Sequence, residues 1–255
     1  MRQRLEHPPP PTHASVDAVA GGGEEEESQG DVHGIRVPEL RHTSCAYASS
    51  MRYRGPKAKV MRRFGIALAP APKYQRILEK RPHPPGQHGA ASMRRKKVGA
   101  YGSRLNEKQK LRAFYGIAER QMRRYVDEAL RRQGPTGTNL LQLLETRLDA
   151  VVFRLGLAPT VWAARQLVGH GHVLVNGKRV DIPSYQVRPG ETITISERMK
   201  RSRQMAVWAE RGAIPPPPYL ELDRDHQSGR LVRPPDRDEI PIPIDDRLIV
   251  EFYSR

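Results

Sequence analysis

Between residues 51 and 135 the sequence sets 23 Lys/Arg against 5 Asp/Glu, a net charge of +18. Such a block repels itself in any compact fold unless a polyanion neutralises it. It therefore describes a surface made for a partner and not an interior. The remainder of the chain is nearly balanced. Residues 1–50 carry 4 basic and 8 acidic residues, and residues 136–255 carry 17 and 15, so the overall +16 comes from one block. The two candidate partners are a nucleic acid and an anionic membrane. A membrane-binding helix would set large apolar residues opposite its cations, and "MRYRGPKAKVMRRFG" and "SMRRKKVGAYGS" show little of that. No run of eighteen apolar residues is available to cross a bilayer. Nucleic acid is the expected partner, with no membrane.

Residues 1–50 have a different character. "HPPPPTH" is polyproline and "AGGGEEEESQG" is glycine followed by an acidic run, too little apolar surface to fold. This segment is expected to be a disordered extension that makes no RNA contact. The change at Met51 is abrupt enough that Met51 could itself initiate translation. "MRQRLEHPPPP" lacks the apolar core of a secretion signal. The single cysteine, Cys45, excludes an internal disulfide and fits a reducing compartment.

Residues 51–103 are broken by Gly and Pro and read as extended backbone with at most short helices. From 104 to 133, apolar residues recur at helical spacing, giving one helix or two with Gly116 as the break. Thr138 or Asn139 is expected to cap another helix running through Leu155. A short helix from Thr160 to about Val168 follows. "HVLVNGKRVDI" then reads as strand, Asn-Gly turn, strand, and "TITIS" as another strand. Residues 198–211 read as helical, and "RLIVEFYSR" near the C-terminus as a strand.

Two short helices and a hairpin between about Thr146 and Ile195 can present a concave basic face. Arg147, Arg165, His170, Lys178 and Arg179 are spread across it, and RNA is commonly recognised by such shape and backbone contact. Taken alone, the same pattern fits any small α/β domain with surface arginines. Tyr53 and Tyr101, beside Gly and Arg, are candidates for stacking on unpaired bases. Tyr115 and Tyr125 fit the apolar face of their helix, and the context of Trp162 and Trp208 discriminates nothing.

The segment "LLQLLETRLDAVVFRLGLAPTVWAARQLVGHGHVLVNGKRVDIPSYQVRPGETITI" resembles the RNA-binding domain named after small-subunit ribosomal protein four. "RYRGPK", "PPGQHG", "RLNEKQKLRAFYGIAERQ" and "LIVEFYS" resemble the ribosomal protein four family itself. The resemblance covers residues 51–255 in linear order. It implies an α+β fold with a mainly helical body, 51–145, completed by 200–255. A small α/β RNA-binding domain of two short helices and an antiparallel sheet, 146–199, is inserted between. It implies a bacterial-type or organellar primary binder of small-subunit rRNA, in the cytoplasm, that nucleates assembly of the subunit body. It also implies an influence on decoding accuracy with neighbouring ribosomal protein five, and a place near the mRNA entry. No cofactor and no homo-oligomer are expected.

The expected rRNA contacts follow the charge and the motifs. In the basic block they are Arg52, Tyr53, Arg54, Lys57, Arg62 and Arg63, then Arg94, Arg95, Lys96, Lys97 and Tyr101. Along the next helix they are Lys108, Lys110, Arg112 and Arg120. In the small domain they are Arg147, Arg165, Gln166, His170, Lys178 and Arg179, with Arg165 and Lys178 both facing phosphate. The loop "RPHPPGQHG" holds His83 and His88, but zinc normally takes four ligands and no cysteine is near. "FGIALAPAPKYQRILEK" just upstream resembles the zinc-free form of the family, so no metal is expected. The loop reads as stiff backbone in which Gly86, Gln87 and His88 approach RNA.

"TRLD" at 146–149 raises an alternative, because pseudouridine synthases carry a catalytic Asp in an Arg-Leu-Asp motif. No second acid/base group accompanies Asp149, which is expected to pair with Arg147 or Arg154. No catalysis is expected. An RNA-modifying enzyme and a free RNA-binding regulator remain the alternatives to a ribosomal constituent.

Overall fold

The computed structural model describes residues 53, 55–69, 72–92, 98–210, 215–223 and 227–254, all within the unit His42–Arg255. The expectations for residues 1–50, and for Arg52, Arg54 and Arg94 to Lys97, lie outside the described residues.

Three short helices open the basic block: α1 (Lys57–Phe64), α2 (Pro72–Lys80) and α3 (Gly89–Ser92). The amphipathic stretch forms two helices, α4 (Ala100–Tyr115) and α5 (Glu119–Arg131), and Gly116 at φ 60° ends the first. The stretch expected as one helix through Leu155 is also two, α6 (Thr136–Glu145) and α7 (Leu148–Arg154). The break falls at Arg147, whose backbone bridges Gln186 across the chain. Neither Thr138 nor Asn139 caps α6, which begins at Thr136 after Pro135. The Asn139 amide instead donates to the carbonyls of Arg132 and Gln133, at 3.4 and 3.2 Å, and so covers the open end of α5.

The small domain continues with α8 (Val161–Gly169), capped by the Thr160 side chain, which accepts from Ala163 N at 3.1 Å. Strands β1 (Val173–Val175), β2 (Lys178–Arg179) and β3 (Thr192–Ile195) follow. Asn176 and Gly177 take φ of 49° and 78°, the conformation of a tight hairpin turn. Val173 pairs with Ile195 and Val175 with Ile193, so the inward positions of the two strands coincide and all four side chains are buried. After α9 (Glu197–Lys200) and α10 (Arg203–Glu210) come β4 (Leu220–Asp223) and β5 (Ser228–Leu231). They join the same antiparallel sheet, ordered β2-β1-β3-β5-β4. A 3-10 turn at Arg237–Glu239 leads to the last helix, α11 (Asp246–Tyr253).

The stretch "RLIVEFY" is therefore helical where a strand was expected. Asp245 accepts from Arg247 N at 3.0 Å and caps the helix. Ile249, Phe252 and Tyr253 then share one face toward the body, the spacing of a helix and not the alternation of a strand.

Two apolar cores result among the described residues. One gathers α7, α8 and the sheet around Leu148, Val152, Leu155, Val168, Ile193 and Leu231. The other gathers α4, α5 and α6 around Leu111, Met122, Val126 and Leu144, and includes Ile240, Ile242, Ile244 and Ile249 from the C-terminal segment. The architecture is mixed α and β, a helical body beside a small sheet-containing domain.

Candidate nucleic-acid interface

The loop "RPHPPGQHG" is held from beneath. Arg62 Nε donates to the His83 carbonyl at 3.1 Å, and a second Arg62 nitrogen donates to the Pro84 carbonyl at 3.3 Å. Gly89 N closes a turn on the Gly86 carbonyl at 3.1 Å. A Cβ on Gly89 would stand 2.0 Å from the Pro84 carbonyl oxygen, so only glycine fits there. Gln87 and His88 are exposed on this stiffened turn. Arg62 therefore supports the loop instead of projecting freely from it. No group of three or more potential metal ligands occurs among the described residues.

In the small domain, Gln166 and His170 lie four residues apart on the outer side of α8, both exposed. Lys178 and Arg179 are exposed on β2. An Arg179 Nη donates to the His170 carbonyl at 3.4 Å, which draws helix and hairpin into one face. Asn176 pins the hairpin tip to β3. Its backbone N donates to the Thr192 carbonyl at 2.8 Å, and its side-chain oxygen accepts from Thr192 N at 2.9 Å. His172 lies beside His170, and partial burial, with His170, Arg198 and Arg179 close by, holds it below the usual histidine range.

A second cationic face runs along α5. Arg120, Arg123, Arg124 and Arg131 are exposed, and their spacing of three, four and eleven from Arg120 sets them on one side of the helix. The sequence reading took only Arg120 from this set. The spacing in "ERQMRRYVDEALRR" was the available signal, because these arginines fall opposite Met122, Tyr125, Val126 and Ala129.

Several expected contacts are turned inward. Arg147 and Arg165 retain 3% and 9% exposure, and both bind the carboxylate of Asp149, itself 1% exposed. Arg147 Nε donates to one oxygen at 3.0 Å, and Arg165 Nε to the other at 2.8 Å. Arg165 also donates to the carbonyls of Tyr115 and Gly116 at the end of α4, and Arg147 donates to the Tyr125 hydroxyl. Arg165 thus ties two helices together and is buried where an exposed position was expected. Asp149 pairs with Arg147 as expected but not with Arg154. That guanidinium binds Glu145, its Nε at 3.0 Å from Oε2.

Lys108, at 6% exposure, and Arg112 both reach Glu119 at 2.9 Å. Lys110 pairs with Glu107. These three cations neutralise carboxylates of their own chain. Tyr101 is 65% exposed yet leans on Phe252, ring centres 5.8 Å apart. Tyr53 is exposed, with Lys57 Nζ 5.0 Å from its ring centre.

Glu145 forms a second buried hub. It accepts from the Tyr115 hydroxyl at 2.8 Å and from the Tyr219 hydroxyl at 3.2 Å. Burial, reinforced by the Glu145 charge, pushes both phenols well above the ordinary tyrosine range. Their folded pKa exceeds the unfolded value, so the stability they contribute is complete below about pH 10 and is lost as pH rises beyond it, by about 1.4 kcal/mol per unit for each phenol. A spectrophotometric titration is expected to find Tyr115 and Tyr219 silent until the alkaline unfolding transition. Ionisation of every tyrosine near pH 10 in the folded protein would contradict the hub.

Residues 52–145 match the family described as the ribosomal protein S4/S9 N-terminal domain, and residues 146–193 match the S4 domain. The chain is 48% identical over 207 residues to the small ribosomal subunit protein uS4 of Synechococcus sp. (strain JA-3-3Ab), covering 80% of this chain and 98% of that protein. It is 51% identical over 205 residues to the protein of the same name from Latilactobacillus sakei, covering 80% and 99%.

Proposed function

The chain belongs to the uS4 family of small ribosomal subunit proteins, and on that premise we propose that it binds small-subunit rRNA as a structural constituent of the ribosome. It works in the cytoplasm within the small subunit and performs no chemistry of its own. The observation that carries this reading is the division of its cations. The buried arginines are each paired with a carboxylate of the chain, whereas the exposed Lys178, Arg179, Arg120, Arg123 and Arg124 have no carboxylate partner among the described residues. A rigid frame thus offers charge outward to phosphates that converge where RNA helices meet. The burial of Asp149 between two arginines argues against the RNA-modifying alternative, because a carboxylate so placed reaches no substrate.

The finer role follows the family resemblance. The protein nucleates assembly of the subunit body, contributes to decoding accuracy beside ribosomal protein five, and sits near the mRNA entry.

The test is binding to an rRNA fragment containing a multi-helix junction. Lys178→Ala with Arg179→Ala is expected to weaken binding by about 1–3 kcal/mol, the scale of charge-assisted contacts, without changing the thermal midpoint. Unchanged affinity would mean that the hairpin points to solvent. Failure to co-sediment with the small subunit in high salt would favour the free regulator.

A further inference from the structure

Between α1, the α4–α5 junction and the start of α8 lies a cleft of about 580 Å³, within the range of small-ligand sites. Tyr53, Phe64 and Trp162 contribute rings to its lining, and Gln109 contributes an amide. Its charged lining comprises Lys57, Arg63, Lys108, Arg112 and Arg123 against the single carboxylate of Glu119. That carboxylate is already matched by Lys108 and Arg112, and it accepts from the Tyr253 hydroxyl at 2.9 Å. The cleft is therefore net cationic after internal pairing. Lys57 Nζ lies 5.0 Å from the Tyr53 ring centre and 5.2 Å from that of Trp162, so a charge is stationed between two aromatic surfaces. Trp162 is held in place by an edge contact with Tyr74, ring centres 6.5 Å apart, and by its close approach to Gly116.

Resting on the reading of the chain as an rRNA binder, we propose that this cleft takes one unpaired nucleotide, its base against Trp162 and its phosphate toward Arg63 and Arg123. A flat π-face beside cations suits a base with its phosphate, because every base stacks on an aromatic ring whatever its sequence. A duplex has no free base face to offer, so the site selects a nucleotide turned out of its helix.

The chain has two tryptophans, so Trp208→Phe leaves Trp162 as the sole indole reporter. The probe is a single-stranded adenosine pentanucleotide added to the full chain, with heparin as a polyanion lacking bases. Saturable quenching by the oligonucleotide and none by heparin is expected. Trp162→Ala is expected to weaken oligonucleotide binding about 5- to 150-fold, the range for one stacked base. Trp162→Phe, which keeps a ring in the wall, is expected to restore most of that affinity and guards against a folding defect. Equal response to heparin, or unchanged affinity in Trp162→Ala, overturns the proposal. Quenching seen only in a chain beginning at Met51 would also overturn it, by giving the cleft to the chain's own preceding segment. The parent's binding to the rRNA fragment separates the two readings. If that binding survives while the cleft stays silent, only the nucleotide site fails.

Discussion

Asp149→Ala is expected to lower the unfolding free energy by about 3–5 kcal/mol, the cost of leaving buried charges without their partner. The carboxylate is 1% exposed and serves two guanidiniums that are themselves nearly sealed from water. Removing it strands both cations in low dielectric, Arg165 beside the carbonyls of Tyr115 and Gly116 and Arg147 beside the Tyr125 hydroxyl. Asp149→Asn keeps the shape but not the charge and is expected to fall in the same range. Urea unfolding monitored by circular dichroism measures both. A double-mutant cycle with Arg165→Ala is expected to give a coupling of about 0.5–3 kcal/mol. A loss below 1 kcal/mol in Asp149→Ala would mean that the hub is open to water. Because the same residue joins α7 and α8 to α4, its loss is expected to loosen the two cores against each other, and RNA affinity should drop with stability instead of independently of it.

Binding to rRNA is expected to fall about a thousandfold between 50 and 200 mM monovalent salt. Neutralising about six phosphates gives a log–log slope near −5. The hairpin and α5 faces supply that many cations without drawing on Lys108, Arg112, Arg147, Arg154 or Arg165, which are occupied within the chain. Filter binding across a salt series measures the slope. A specific complex whose affinity barely changes would remove phosphate neutralisation as its basis.

Charge and periodicity carried far in the sequence. The excess in residues 51–135, the Gly116 break, the Asn-Gly hairpin and the inward Val/Ile alternation of β1 and β3 were all legible, because each is set by neighbours in sequence. The pairing of Arg147 with Asp149, two residues apart, was legible too; the inward turn of Arg165 was not, since a lone arginine looks the same whether it meets solvent or a carboxylate delivered by another helix. Asp149 was suspected as a partner, but its second arginine comes from 16 residues on. The helix α11 was hidden by β-branched residues in "LIVEFY", and burial of Ile249 against the body overrode that local preference. The arginine face of α5 is legible as the side opposite its apolar stripe, since Arg120, Arg123, Arg124 and Arg131 recur at helical spacing.

The sheet order β2-β1-β3-β5-β4 also determines when the molecule can become itself. Strand β5 lies beside β3, and Tyr219, Leu220 and Leu231 fill the first core. Ile240, Ile242, Ile244 and Ile249 fill the second. Synthesis runs from the N-terminus, and earlier domains usually fold first. Here a nascent chain ending near residue 200 would hold both cores open. Neither core is full until Tyr219 to Ile249 have been made. The exposed cations therefore stand on a complete frame only after that segment arrives.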